Sequence, residues 1–277
     1  MKNRITKLRN YNSFYTCLIV LILTSSCINI NAQGLQSRIE TNHKIYIPKG
    51  NGPFPVVIAI AGCSGVSLNG PETDAGRPGD EGDWLFRRHY PRMAQRLQEE
   101  GVMVFLIDYL TAEGVSNTCR GEIPPERVGE YIKEVISFIK KNPKADTTRI
   151  NVIGWSHGGS GVLEWLSSLE EEPIGVQSAI TVYPGCSTSS PWESTLPVLM
   201  ILGEEDDIAR PKVCKNLIES LSNQTNVKVL SYPNARHGFD FTEGPIELSV
   251  GNGLTVGRNQ EAGNKAWQEI FAFLKLN

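Results

Sequence analysis

The chain has 277 residues, 40% of them hydrophobic and 21% charged, a globular mixture long enough to bury one large core. Its 27 Lys+Arg against 30 Asp+Glu give a formal net charge of −3, and this balance without basic runs argues against nucleic acid as a partner.

The first ten residues, MKNRITKLRN, carry Lys2, Arg4, Lys7 and Arg9 and no acid; the first acidic residue is Glu40. The apolar run CLIVLIL, Cys17 to Leu23, follows and then gives way to TSSC and NINAQ. A basic start, a short apolar stretch and a small-residue exit read as a secretory signal. The run falls short of the about 20 apolar residues that span a bilayer, so no membrane span is expected. Two processing points are open. Cleavage after Ala32 makes residues 1–32 the signal and 33–277 the catalytic domain, with Gln33 as the new terminus. Processing at Cys27 instead makes a lipoprotein with a lipid anchor, although Thr24 stands three places before it where leucine is usual. Losing four cations from the 27 leaves 23 against 30 acids, a net charge near −7. The expected location is periplasmic or secreted.

Four cysteines then remain, Cys63, Cys119, Cys186 and Cys214. An even number in an oxidising compartment is compatible with two disulfides, which four cysteines can form in three ways. None shows C-x-x-C spacing and no histidine lies near in sequence, so no metal is expected.

Beyond the signal, HKIYIP (His43–Pro48) predicts a short first strand. FPVVIAIAG (Phe54–Gly62) and VMVFLID (Val102–Asp108) are continuous apolar runs, the pattern of strands covered on both faces. INVIGW (Ile150–Trp155), QSAITVY (Gln177–Tyr183), PVLMILG (Pro197–Gly203) and VKVLSYP (Val227–Pro233) repeat it. Helical periods lie between, over Tyr90–Glu100, Glu126–Lys141, the stretch after Ser156, Val213–Leu221 and Glu261–Lys275. Alternating strands and helices predict an α/β fold with a mostly parallel, doubly wound sheet. Two long polar segments break the rhythm, Gly65–Trp84 and Phe241–Asn259, and loops of that length are expected to rim a site.

Gly154-Trp155-Ser156-His157-Gly158 fits G-x-S-x-G. That pattern alone is weak; the demanding part is that the serine sit between a strand and a helix, as INVIGW and GGSGVLEWL provide. Ser64 and Ser160 fail the same test, having valine where the second glycine belongs. A serine hydroxyl needs a base, and the order for this arrangement is serine, acid, histidine. Only His157 and His237 follow the serine, and His157 adjoins it, so His237 in NARHGFD is the candidate. LGEEDDIARP supplies Asp206 or Asp207 as the acid. Asp206 is preferred, three residues after the strand-ending glycine, while the other aspartate is read as a cap for the helix near Pro211. The oxyanion needs two N–H donors, expected from His157 and from Cys63 in the early AGCSG loop.

Together, AGCSG, GWSHGGS, YPGCS, GEEDD and HGFD make the chain from about Pro53 onward resemble the dienelactone hydrolase family of the α/β-hydrolase superfamily. The resemblance implies an α/β-hydrolase fold, a Ser156-Asp206-His237 triad, and an oxyanion hole from Cys63 and His157. It also implies the pairings Cys63–Cys119 and Cys186–Cys214. This chain departs from the family's namesakes in having Ser156 where they carry cysteine, and in having Ala61 where relatives often have histidine. The function expected is an exported serine hydrolase that cleaves a small-molecule carboxylic ester through an acyl-enzyme, without a cofactor. A peptidase or acyltransferase on the same fold, or a binding protein that has lost catalysis, are the alternatives.

Overall fold

The computed structural model describes residues 34–66 and 83–276, apart from 36, 188, 223, 225 and 251. The expected signal, with both processing points, lies outside the described residues, as does most of the first long loop.

Seven strands form one sheet in the order β1-β3-β2-β4-β5-β6-β7. They are β1 (His43–Tyr46), β2 (Phe54–Ile60), β3 (Met103–Ile107), β4 (Ala145–Trp155), β5 (Val176–Val182), β6 (Val198–Gly203) and β7 (Val227–Tyr232). β1 pairs antiparallel with β3, and the remaining pairs are parallel. The helices are α1 (Asp83–Glu99), α2 (Tyr109–Glu113), α3 (Pro125–Ile139), α4 (His157–Ser167), α5 (Pro211–Glu219) and α6 (Gln260–Leu276).

Alternate residues of each central strand feed opposite faces of the sheet. Val56, Ile58 and Ile60 of β2 pack with Val128, Ile132 and Val135 of α3 and with Val162 and Leu166 of α4. Val57 and Ala59, pointing the other way, join Met93 and Leu97 of α1 and Trp267 and Ile270 of α6. Each such side chain, fully buried, contributes roughly 1.5–3 kcal/mol. Both layers are therefore dry, which is why the strands read as unbroken apolar runs.

The helix starts follow local chemistry. Pro125 and Pro211 each open a helix at a position that has no use for an N–H. Three boundaries differ from the sequence reading. β4 begins at Ala145, five residues early, because Phe54 pairs with Ala145 across a register shift in an otherwise polar stretch. α1 begins at Asp83, seven residues before the expected Tyr90, and carries Pro91 inside it. The second long loop folds back as a hairpin, β8 (Leu248–Ser249) with β9 (Thr255–Val256). Its turn holds Asn252 and Gly253 at φ 53° and 76°, the backbone that an Asn-Gly pair favours in tight hairpins.

Because β3 lies on one side of β2 and β4 on the other, the strand order reverses between β2 and β4. The crevice beyond the carboxyl ends of strands at such a point is where open α/β sheets bind ligands.

Candidate active site

Six turns meet beyond that edge: those after β2, β3, β4, β5, β6 and β7. Ser156 follows β4 immediately. Its N–H donates to the Val182 carbonyl at 2.9 Å, and its own carbonyl accepts the first bond of α4, from Ser160 N–H at 2.9 Å. Held at both ends, the residue takes φ 51° and ψ −120°, a left-handed backbone costly for a residue with a side chain. The turn is that tight because its neighbours have no Cβ. A Cβ on Gly158 would lie 2.4 Å from the carbonyl oxygens of Ile60 and Ala61, and one on Gly154 2.4 Å from the Gly158 oxygen. The rival Ser160 has a structural partner: its hydroxyl accepts from Gly185 N–H at 3.0 Å.

Ser156 Oγ lies 2.8 Å from His237 Nε2, and His237 Nδ1 lies 2.7 Å from Asp206 Oδ2. A carboxylate only accepts, so Nδ1 carries the hydrogen and, in the neutral ring, Nε2 is left to accept from the serine hydroxyl. His237 and Asp206 are both buried. The second oxygen of Asp206 accepts the N–H groups of Ile208 at 2.9 Å and Ala209 at 2.7 Å, which fixes the carboxylate's rotamer. Asp207 sits elsewhere: it accepts Thr255 N–H of β9 at 3.1 Å. It does not cap the helix as expected, since the residue before α5 is Arg210 and no side chain caps that end. Asp207 thus ties the hairpin to the turn that carries Asp206, while Gly257 N–H donates to the His237 carbonyl at 3.0 Å.

The early loop lies against Ser156: a Cβ on Gly62 would be 3.2 Å from that of Ser156. Cys63 is joined to Cys119 by a disulfide, and its carbonyl accepts Thr118 N–H at 2.9 Å. Cys186 and Cys214 form the second disulfide. His157 is the first residue of α4, so its N–H has no acceptor within the helix and stands beside the serine. Its imidazole lies beside the Tyr109 ring, with centroids 6.2 Å apart. Burial lowers its pKa against a backbone hydrogen bond with Ile123, and Nε2 has no partner among the described residues.

The sequence reading passed over a buried group behind the site. Asp240 gathers Tyr183, Trp155 and His89 around its carboxylate. Only HGFD hinted at it, because the four residues come from four separate segments.

This is an α/β-hydrolase fold. The chain belongs to the dienelactone hydrolase family, a family of hydrolases whose model matches residues 84–276. Solved structures share the architecture at 16% sequence identity. One is a candidate dienelactone hydrolase of Klebsiella pneumoniae subsp. pneumoniae, with a TM-score of 0.63 over 85% of this chain and 92% of that one. Another is a dienelactone hydrolase-like promiscuous phosphotriesterase from metagenomic libraries, with a TM-score of 0.62 over 84% and 91%. A candidate dipeptidyl aminopeptidase IV of Bacteroides ovatus aligns with a TM-score of 0.57 over 85% of this chain but 33% of its own length. No curated protein matches. The described residues hold two disulfides and no helix long and apolar enough to cross a membrane.

Proposed function

We propose that the protein is an exported serine hydrolase acting on carboxylic esters, with Ser156 as nucleophile, His237 as base and Asp206 as the acid that orients it. The observation carrying this reading is the unbroken row from Ser156 Oγ through His237 to Asp206, at 2.8 and 2.7 Å. Ser156 attacks the ester carbonyl carbon while its proton passes to His237 Nε2. The tetrahedral oxyanion is held by the N–H groups of Cys63 and His157, and collapse expels the alcohol, protonated by His237. Water, activated by the same imidazole, then releases the acid. The basic and apolar first residues and two disulfides support export.

The test is labelling of the mature protein with a fluorophosphonate, followed by a panel of esters of varied acyl length. An adduct on Ser156 and loss of turnover in Ser156→Ala are expected. No adduct on folded protein, or unchanged turnover in Ser156→Ala, would overturn the assignment.

A further inference from the structure

Asp240, three residues past His237, is a buried carboxylate that the reaction above does not use. Its Oδ1 accepts the Tyr183 hydroxyl at 2.6 Å, and its Oδ2 lies 3.1 Å from both Trp155 Nε1 and His89 Nε2. A charge so deep is tolerated only when its oxygens are bonded. Burial pushes its pKa up, but His89 and the hydrogen bonds from Tyr183 and Trp155 outweigh burial and hold it below the usual carboxylate range. Tyr183 is fully buried, and burial beside Asp240 holds its phenol far above the ordinary value. The hydrogen therefore stays on the tyrosine, and the short bond is a neutral donor to an anion, the stronger kind.

Tyr183 is also strained. It takes φ 39° directly after β5, uncommon for a bulky residue, and its N–H is held by the Ile201 carbonyl at 2.7 Å. What this backbone achieves is a ring placed against the imidazole: the centroids of Tyr183 and His237 are 4.7 Å apart, with planes inclined by 57°.

We infer that Tyr183 and Asp240 are positioning residues for His237, the tyrosine ring, made electron-rich by the hydrogen bond its hydroxyl donates to Asp240, stabilising the imidazolium that forms while Ser156 reacts. This rests on the catalytic reading of Ser156 and His237. The proton moves only from Ser156 Oγ to His237 Nε2; none reaches Tyr183 or Asp240. A cation over the face of an aromatic ring, within about 6 Å of its centroid, is attracted by its π-electrons, and the attraction grows where water is excluded. Asp206 supports the cation through Nδ1, and Tyr183 supports it from beside the ring. Ser156 faces His237 from the β4 turn, and β9 offers it backbone only, through the His237–Val256 bridge. His89 and Trp155 bind the far side of Asp240, and Tyr90 and Asp206 are near enough for charge effects. Arg236, next in the chain, is engaged by Glu205 and Glu247.

The experiment follows the rate of fluorophosphonate labelling at Ser156 against pH in the wild type, Tyr183→Phe and Asp240→Asn, with circular dichroism as the fold control. Tyr183→Phe keeps the ring but loses the donor. It is expected to label roughly 3- to 30-fold more slowly. The pKa governing labelling should move down, because the imidazolium has lost support, while KM for an ester stays unchanged and kcat falls. A folded Asp240→Asn should shift the same pKa in the same direction. Wild-type rate and pKa in Tyr183→Phe would overturn the inference, as would a rate that falls only in step with the folded fraction. If Asp240→Asn does not fold, Tyr183→Phe decides alone. Failure of the wild type itself to label would instead strike the catalytic reading of Ser156.

Discussion

The backbone N–H of Gly62 donates to the hydroxyl oxygen of Tyr90 at 2.9 Å. On the other side of the same residue, the Tyr109 hydroxyl donates to the Gly62 carbonyl at 3.1 Å. One glycine thus has both backbone groups held by buried phenols from two different helices, just before Cys63. The loop that is proposed to carry an oxyanion donor cannot easily turn.

Tyr90→Phe leaves the Gly62 N–H buried without that acceptor, at a cost of about 1–3 kcal/mol. If the loop positions the Cys63 N–H, the variant should lose kcat on an ester while KM holds, and thermal melting should fall alongside. Full kcat in a variant with a lowered melting temperature would detach Gly62 from the chemistry.

The two disulfides should separate stability from catalysis. Cys63 and Cys119 are 56 residues apart, and Cys186 and Cys214 are 28 apart. Loop-closure entropy puts their contributions at about 4 and about 3.5 kcal/mol. Cys119→Ser should therefore cost somewhat more stability than Cys214→Ser, and only Cys119→Ser should also lower kcat, because Cys63 follows Gly62, which lies against Ser156. Melting curves and initial rates of the two variants check this. Equal loss of kcat in both would remove the special role of the first disulfide.

How much of this was legible beforehand depends on where the information lies along the chain. The central strands β2 to β6 could be read because burial on both faces leaves an apolar run, whereas the edge strands β1 and β7 are only part-buried and show shorter, mixed runs. Ser156, Asp206 and His237 could be singled out because each follows a strand end at a recognisable offset. Between Asp206 and Asp207, offset favoured the residue that the structure sets against His237. What escaped was non-local. His89, Trp155, Tyr183 and Asp240 span 151 residues between the first and the last, and no periodicity links them. Asn252-Gly253 was legible and was missed, because its flanking strands have only two residues each.

His157 is expected to serve through its backbone alone. His157→Gln keeps that N–H, so kcat should remain close to the wild type, whereas a general-base role for the imidazole would abolish it. The side chain should show itself in stability. Its pKa is lowered by burial, from an ordinary value of about 6.5. The folded state therefore binds this proton less readily than the unfolded chain. The stability linked to neutrality is present above about pH 6.5 and is lost as pH falls through the folded-state pKa. Denaturation midpoints measured from pH 7 down to pH 5 should fall less steeply in His157→Gln than in the wild type. Parallel slopes would mean that His157 titrates alike in both states.

The strain at Ser156 gives the last test, and it sets function against stability. At φ 51° and ψ −120° a side chain costs roughly 1–3 kcal/mol, and glycine pays little of it. Ser156→Ala and Ser156→Gly should be equally dead, since both lack the hydroxyl. They should differ in stability in a direction opposite to the usual one. Glycine ordinarily lowers stability through the entropy of the unfolded chain, by about 0.4–1 kcal/mol relative to alanine. Here relief of the left-handed backbone outweighs that loss, so Ser156→Gly should be the more stable variant, by about 1 kcal/mol. Chemical denaturation of the two proteins measures the difference directly. An alanine variant as stable as the glycine one would show that the turn relaxes once the hydroxyl is gone. The strain would then belong to the Ser156–His237 hydrogen bond and not to the tight packing of Gly154 and Gly158 around it.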